Sequence, residues 1–192
     1  MEASDRPLKC AARDFLQTPF YILQKNRGQQ RYVVSLTEKE DIKDLLMNFI
    51  DQAANGFEVK IRDHGEQADP KDYWGEVTRP QLKIAIEKFG DFIFHDGKHD
   101  LMIKHSGSND YIVFDEHALV FIYSDNDYTS LLHTYNLVQQ ADGQFIYNVG
   151  HWHIRQANAM ESLARLINLL ELMPQQDDPV AGKSWWRRLL GL

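Results

Sequence analysis

The sequence predicts an α+β fold in which a largely antiparallel sheet is covered by about four helices. Three observations lead to this fold class. Apolar runs separated by turn-forming residues fill residues 91–123, which is typical of a meander of strands. Two more apolar runs, at 20–23 and 32–36, predict an N-terminal hairpin. Other segments carry an apolar residue at every third or fourth position, which is the pattern of an amphipathic helix.

The first predicted helix follows the N-terminal hairpin. Thr37 and Glu40 have the spacing of a capping box, in which Thr37 is the N-cap residue. Asn55 and Gly56 are expected to stop this helix. Residues 57–62 then alternate between apolar and charged types, which predicts a strand with one face in water. The apolar stripe of the helix would consist of Ile42, Leu45, Leu46, Phe49 and Ile50.

A polar stretch and a second helix come next. Residues 64–75 are polar and contain Pro70, so we interpret them as a long loop or as a joint between subdomains. A second capping pattern begins at Thr78, with Pro80 in the first helical turn, where proline is tolerated. The helix that it opens is expected to end at Gly90.

The meander is predicted to contain four strands joined by three tight turns. Asp96-Gly97 between apolar runs is the strongest short-range hairpin signal, because a type I′ turn needs positive φ at both central residues. The run 118–123 has no polar residue, which favours a central strand covered on both faces. The turns at 96–97 and 115–117 would lie at the same end of the sheet, about 10 Å apart. The four predicted strands are 92–94, 101–103, 111–114 and 118–123.

The late part of the chain is less regular. Residues 126–149 fit either a helix or a short helix to about His133 followed by a hairpin, and we favour the second interpretation. Residues 156–173 predict the clearest late helix, which ends before Pro174.

Length and composition restrict the class of protein. The chain has 192 residues, and we assign 1–174 to a single domain and 175–192 to a linker and a C-terminal tail. The formal net charge of −7 matches a phosphate backbone poorly, so we expect no nucleic-acid partner. The single cysteine, Cys10, excludes an internal disulfide framework and indicates a reducing compartment. We see no secretory signal and no apolar run near the roughly 18 residues of a membrane span, so we expect a cytoplasmic protein.

One rim of the predicted sheet would collect seven polar side chains. They are His95, Asp96, His99, Asp100, Asp115, Glu116 and His117. Imidazoles and carboxylates can bind a metal or perform acid–base chemistry. In the predicted hairpin, however, His95 and His99 point to opposite faces, which argues against a shared site. We therefore expect the acidic members to contact a basic protein partner, through Asp96, Asp100, Asp115 and Glu116.

His151 and His153 form a second, weaker candidate. In an extended segment they share one face, about 6–7 Å apart at Cα, and such a pair can begin a zinc or copper site if a third ligand arrives. No third His, Cys, Asp or Glu follows at a spacing typical of a metal site. We therefore favour the end of an ordinary aromatic strand over a metal site. The sequence has no nucleophile elbow, phosphate loop or His-Glu-x-x-His motif. We assign no catalytic residue, no metal and no cofactor.

The C-terminal tail, residues 184–192, combines aromatic and basic side chains. As a helix it would be amphipathic, but so short a helix is unstable alone in water. We expect it to dock on the body of the protein, in a groove of another protein, or weakly on an anionic membrane surface. Self-association through the tail would give a homodimer, which is a further alternative. The contact residues would be Trp185, Trp186, Arg187 and Arg188.

Two classes of function follow from these features. The leading hypothesis is a non-enzymatic cytoplasmic protein-binding protein, of the inhibitor, immunity or adaptor type, which presents an acidic sheet rim and a docking tail. The alternative is a His/Asp-based or metal-dependent hydrolase that uses the rim histidines or the pair His151 and His153.

Overall fold

The computed structural model describes residues 9–13, 15–26, 29–65 and 70–175. The tail residues Trp185, Trp186, Arg187 and Arg188 lie outside these ranges. In chain order the described elements are β1 (Cys10–Ala12), β2 (Phe20–Asn26), β3 (Gln29–Ser35), α1 (Lys39–Gln52), β4 (Phe57–Asp63), β5 (Lys71–Val77), α2 (Arg79–His95), β6 (His99–His105), β7 (Tyr111–Phe114), β8 (Leu119–Ser124), α3 (Thr129–Thr134), β9 (Gln139–Gln140), a 3-10 turn (Ile146–Asn148), β10 (His151–His153), α4 (Ala159–Leu169) and β11 (Met173–Pro174).

Nine of these strands form one sheet, in the order β11-β5-β4-β6-β7-β8-β3-β2-β9. Neighbouring strands run antiparallel, apart from the short parallel pair β2 and β9. The remaining two strands, β1 and β10, pair with each other as a separate antiparallel ribbon. The predicted α+β fold with a largely antiparallel sheet and four helices is therefore confirmed.

The main core lies between one face of the sheet and the helices. Alternate residues of the longer strands face it because side chains alternate along a strand, as with Val59 and Ile61 of β4 or Ile112 and Phe114 of β7. The predicted stripe of α1 is buried in this core, together with the apolar residues of α2 and α4. The opposite face carries smaller apolar clusters, which cover β8 on its second side as its unbroken apolar run predicts.

The first strand of the predicted meander is wrong. Phe92 and Phe94 lie in α2, which departs from helical geometry at Phe89 and then continues to His95. A helix buries these apolar side chains under the sheet, leaving them 4% and 0% exposed, and the backbone N–H of Asp96 closes the last turn on Phe92. The segment 96–97 is a connection from helix to strand, so residues 91–123 contain three strands rather than four.

Some of the other predicted element boundaries are confirmed and others are wrong. The capping box at Thr78 forms as predicted, with Gln81 and Thr78 satisfying each other's backbone N–H groups. The box at Thr37 does not form, because α1 begins at Lys39 and its N-cap is Glu38. The C-terminal part of the predicted loop 64–75 is wrong, because residues 71–75 belong to β5, which pairs along its whole length with β4. The reason is tertiary: Asp72 of β5 pairs with two cations of β4, Lys60 and Arg62.

The hairpin predicted for residues 135–149 does not form. Gln139 and Gln140 pair with β2 instead, and the backbone then reaches the 3-10 turn. The ring of Phe145 packs at 5.0 Å from the ring of Phe20, which draws this segment onto the large sheet. The predicted helix 156–173 is shorter, because Glu171 has positive φ and the chain turns into β11.

None of the helices in the described ranges has the length and hydropathy required to cross a bilayer.

Candidate metal centre

The β1–β10 ribbon is fixed against the end of the large sheet where β6 begins and β7 ends. The backbone N–H of Gly97 donates to the carbonyl of Ile154 at 2.7 Å, and Ile154 N–H donates to the carbonyl of Lys9 at 2.9 Å. The approach at Gly97 is so close that a Cβ there would overlap the Lys9 carbonyl. This docking places His151 and His153 beside the turn that joins β7 to β8.

That turn, residues 115–118, is shaped by the Asp115 carboxylate. Its Oδ1 accepts the backbone N–H groups of His117 at 2.9 Å and Leu119 at 2.8 Å. Its Oδ2 lies 3.0 Å from Nδ1 of His117. Ala118 closes the turn with a φ of 61°, and its N–H donates to the Asp115 carbonyl. The turn therefore holds the His117 ring in one orientation.

Three imidazoles converge where the ribbon meets the turn. One ligand nitrogen from each of His117, His151 and His153 lies within 4.8 Å of the others. The ring centres are 5.0 Å, 4.9 Å and 5.1 Å apart. With zinc–nitrogen bonds of about 2.1 Å, three imidazoles on a tetrahedral ion have ring centres roughly 5 Å apart and nitrogens roughly 3.4 Å apart. The spacing of the rings therefore fits one small metal ion.

Each ring is held through its Nδ1 atom. His117 Nδ1 meets Asp115 Oδ2, His151 Nδ1 lies 2.8 Å from the carbonyl oxygen of Val149, and His153 Nδ1 lies 3.3 Å from the carbonyl oxygen of Glu116. An acceptor at Nδ1 keeps the proton on that nitrogen and leaves a lone pair on Nε2. Metal-binding histidines are oriented in the same way by carboxylates and backbone carbonyls. All three rings are thus set to present Nε2 as a ligand.

The electrostatic environment differs between the rings. Burial acts to lower the pKa of His117, but the hydrogen bond and charge of Asp115 raise it overall. Burial lowers the pKa of His153, against the charge of Glu116. The Glu116 carboxylate lies 3.8 Å from His153 Nδ1 and 4.0 Å from His64 Nε2. It is therefore on the Nδ1 side of the His153 ring rather than beside Nε2.

The predicted rim residues are brought together, but Asp96 and His99 are buried and the other five are only partly exposed. Asp96 is 2% exposed and accepts backbone N–H groups from Lys98 and Gln156. Asp100 accepts the Glu116 N–H at 2.9 Å and lies 2.9 Å from His64 Nε2. The side chains of Asp100, Asp115 and Glu116 are 24%, 15% and 23% exposed.

These four carboxylates surround a buried lysine. Lys9 is 0% exposed, donates from Nζ to the carbonyl of His99 at 3.0 Å and lies 4.2 Å from the centre of the Phe114 ring. Burial lowers the pKa of Lys9 to about 8, while the charges of the four carboxylates raise it. The negative charge of the rim is therefore partly balanced inside the protein. Contact of these acids with a basic partner stays a prediction.

The remaining histidines of the rim do not join the cluster. His95 ends α2, and its Nδ1 contacts the Asp91 carbonyl. His99 is 1% exposed and stacks on Phe92 at 4.4 Å. The sequence predicted all three clustered histidines as candidates, but it placed His117 on the rim and His151 and His153 in a separate strand. No spacing in the sequence links His117 to residues 151–153.

A pocket of about 180 Å³ opens beside His117. Cys10 lies in its wall, where burial and then the charge of Asp115 raise the pKa of the thiol to about 12, so it is a neutral group there. The lining residues are mainly apolar: Cys10, Ala11, Ala12, Phe15, Leu16, Gln17, Leu36, Thr37, His117, Ala118 and Ile146.

Comparison with protein-family models, with curated proteins and with solved structures finds no match to this chain.

Proposed function

We propose that the protein binds a divalent metal ion of the zinc type at His117, His151 and His153 and uses it for hydrolysis. One observation carries the proposal: three imidazoles from two separate parts of the chain converge while each Nδ1 faces an oxygen acceptor. Metal-binding histidines almost always donate their other ring N–H to a carboxylate or backbone carbonyl, so this shared orientation supports a metal site.

The number of ligands favours a catalytic rather than a structural ion. Structural zinc sites are usually closed by four protein ligands, whereas catalytic sites use three and leave the fourth position to water or substrate. In the described ranges, no fourth His, Cys, Asp or Glu joins the three imidazoles. Imidazole ligands suit zinc and also copper, iron and nickel, and ring centres 5.0 Å, 4.9 Å and 5.1 Å apart fit three corners of the tetrahedron that zinc prefers.

A hydrolytic reaction follows from the chemistry of such a site. A zinc ion with three imidazole ligands lowers the pKa of its bound water to about 7, which supplies hydroxide at neutral pH. An ion held by His117, His151 and His153 would supply this hydroxide and would polarise the electrophilic carbonyl that it attacks. Asp115 and Glu116 are positioning residues in this scheme, because they contact the Nδ1 sides of His117 and His153 rather than the nitrogens that face the ion.

Metal titration of the full chain tests the proposal. Protein stripped with a chelator should bind one zinc per chain, and cobalt(II) should give the visible absorption of a tetrahedral site. Replacement of any one of His117, His151 or His153 by Gln should weaken zinc binding by at least about 100-fold, more than loss of an outer-shell partner. His95→Gln is the matched control, since His95 lies at the end of α2 outside the cluster. Absence of stoichiometric zinc binding, or equal loss in the control, contradicts the proposal.

A second candidate is a non-enzymatic protein-binding function, of the inhibitor, immunity or adaptor type. The observation that favours it is the exposure of aromatic side chains near the ribbon, with Trp152 56% and Tyr147 44% exposed, because such side chains often anchor partners. A pull-down that compares the native chain, Trp152→Ala and a chain without residues 183–192 tests this function. Failure of the native chain to retain a partner above background contradicts it.

A further inference from the structure

The pocket beside His117 indicates what the proposed centre would act on. We propose that the substrate is a small, uncharged carboxylic ester or amide whose short apolar acyl group occupies this pocket. This inference rests on the proposed metal-dependent function. His117 and Ala118 line the pocket, so it opens at the turn that carries one of the three ligands. In this proposal the free position of the ion faces the pocket, and a carbonyl held there extends its acyl chain along His117 into it.

The lining selects the chemistry of that group. Among the described residues that line the pocket there is no Lys, Arg, Asp or Glu, and these walls are formed largely by alanine, leucine, isoleucine and phenylalanine side chains. A carboxylate or phosphate would lose its hydration in this pocket without gaining a cationic partner, which is strongly unfavourable. An aliphatic group gains about fourfold in affinity for each buried methylene.

The volume sets the size of the group. At about 180 Å³ the pocket is smaller than the 300–1,000 Å³ that is typical for drug-sized ligands. It suits a chain of a few carbon atoms rather than a long acyl chain or a peptide segment.

The reaction is a hydrolysis that needs water as its second reactant. The oxygen of a water molecule that the ion would activate forms a bond with the carbonyl carbon, and the bond from that carbon to the alcohol oxygen or amine nitrogen breaks. The leaving atom takes the proton released from water, so the products are one carboxylic acid and one alcohol or amine. No oxidant or reductant takes part.

Alkyl hydroxamates test the substrate class by binding alone, since their metal-binding group is constant while the chain varies. We expect butyrohydroxamate to bind the zinc-loaded full chain about 15-fold more tightly than acetohydroxamate, because it adds two methylenes. Succinic monohydroxamate, which has the length of butyrohydroxamate but ends in a carboxylate, should bind no better than acetohydroxamate. Octanohydroxamate should gain little over butyrohydroxamate because the pocket is short. Calorimetric titration measures all four.

Two variants test whether the dependence of hydroxamate affinity on chain length arises in this pocket. Thr37 is a half-buried residue of the pocket wall, so Thr37→Trp should fill the pocket and bring the ratio of butyro- to acetohydroxamate affinity close to one without changing zinc affinity. Thr134→Trp makes the same change at an exposed position at the end of α3 and should keep the wild-type ratio.

The zinc titration separates the two proposals. Failure to bind zinc refutes the metal centre. Normal zinc binding with no hydroxamate binding, with a flat chain-length series, or with preference for the carboxylate probe overturns the substrate class and leaves the metal centre standing. The same holds if Thr37→Trp keeps the wild-type ratio.

Discussion

The Asp115 carboxylate contacts His117 twice, through the backbone N–H at 2.9 Å and through Nδ1 of the ring at 3.0 Å. One side chain therefore shapes the turn after β7 and sets the tautomer of an imidazole at the end of that turn. The same relationship couples the local fold to the proposed chemistry, because the turn cannot rearrange without rotating the ring.

Asp115→Asn should weaken zinc binding by about 10- to 100-fold with little loss of stability. An Asn oxygen can still accept the N–H groups of His117 and Leu119, which Asp115 Oδ1 accepts in the wild type. Its amide would donate to His117 Nδ1 and drive the ring proton onto Nε2, where it blocks the metal. Competitive zinc titration measures the effect, and Asp125→Asn, at an exposed position after β8, is the control. Unchanged zinc affinity in Asp115→Asn would remove the orienting role of this carboxylate.

Gly97→Ala should lower the free energy of unfolding by about 3 kcal/mol and also weaken zinc binding. A Cβ at this position overlaps the carbonyl of Lys9, so the ribbon that carries His151 and His153 must move away from the sheet. Gly150→Ala is the matched control in the same region, because a Cβ there meets nothing within 4 Å. Urea unfolding gives the stability of both variants. Equal stability would mean that the ribbon does not depend on this close approach.

Asp72→Ala should destabilise the fold by about 2–3 kcal/mol, because it removes the partly buried carboxylate that pairs with the buried ammonium of Lys60 and with Arg62. The Asp72 carboxylate lies 2.5 Å from Nζ of Lys60, whose side chain is 4% exposed, and 2.8 Å from Nε of Arg62. Asp91→Ala is the comparison. It removes the ion-pair partner of Lys39, but the Asp91 side chain is 89% exposed, so the expected loss of stability is below about 1 kcal/mol. Chemical denaturation of the two variants measures both values, and similar losses would contradict this ranking.

His99 should make the fold less stable as the pH falls from about 6.5 to about 4. Burial, followed by the charge of Lys9, lowers the pKa of His99 to about 4, although Asp96 and Asp100 act to raise it. The unfolded chain takes up the proton near pH 6.5, whereas the folded chain resists it until about pH 4. The unfolded state therefore binds more protons in this window, and stability falls with falling pH by about 3 kcal/mol.

His99→Phe provides the comparison, because Phe keeps the stacking on Phe92 and cannot titrate. The difference between the unfolding free energies of wild type and variant should shift in favour of the variant as the pH falls through this window. Titrating groups that do not interact with His99 are common to both proteins and cancel. A difference that stays constant from pH 6.5 to pH 4 would show that His99 does not titrate in this way.

Local sequence signals predicted the elements whose partners lie nearby. The stripe of α1, the hairpin β2–β3 and the capping box at Thr78 each depend on interactions within a few residues or across one short turn. Signals failed where distant contacts decide the conformation. Phe92 and Phe94 fit a strand or a helix equally well by local pattern, and burial under the sheet selects the helix.

The candidate centre was predicted only in part for the same reason. His151 and His153 share a face of a strand, which the period of two residues makes visible in the sequence. His117 reaches them because Gly97, Lys9 and Ile154 dock the ribbon against the sheet, and nothing near His117 in the sequence encodes that contact.

By itself the sequence determined the α+β class, the central position of β8, the helical stripe of α1 and the pairing of two histidines on one strand, because apolar periodicity and side-chain alternation act over short distances. Only the tertiary structure decided that α2 extends through Phe94, that β5 is a strand and that a third imidazole completes the cluster. Those outcomes depend on which surfaces bury each other after long loops close, and that free energy is shared among residues far apart in the chain.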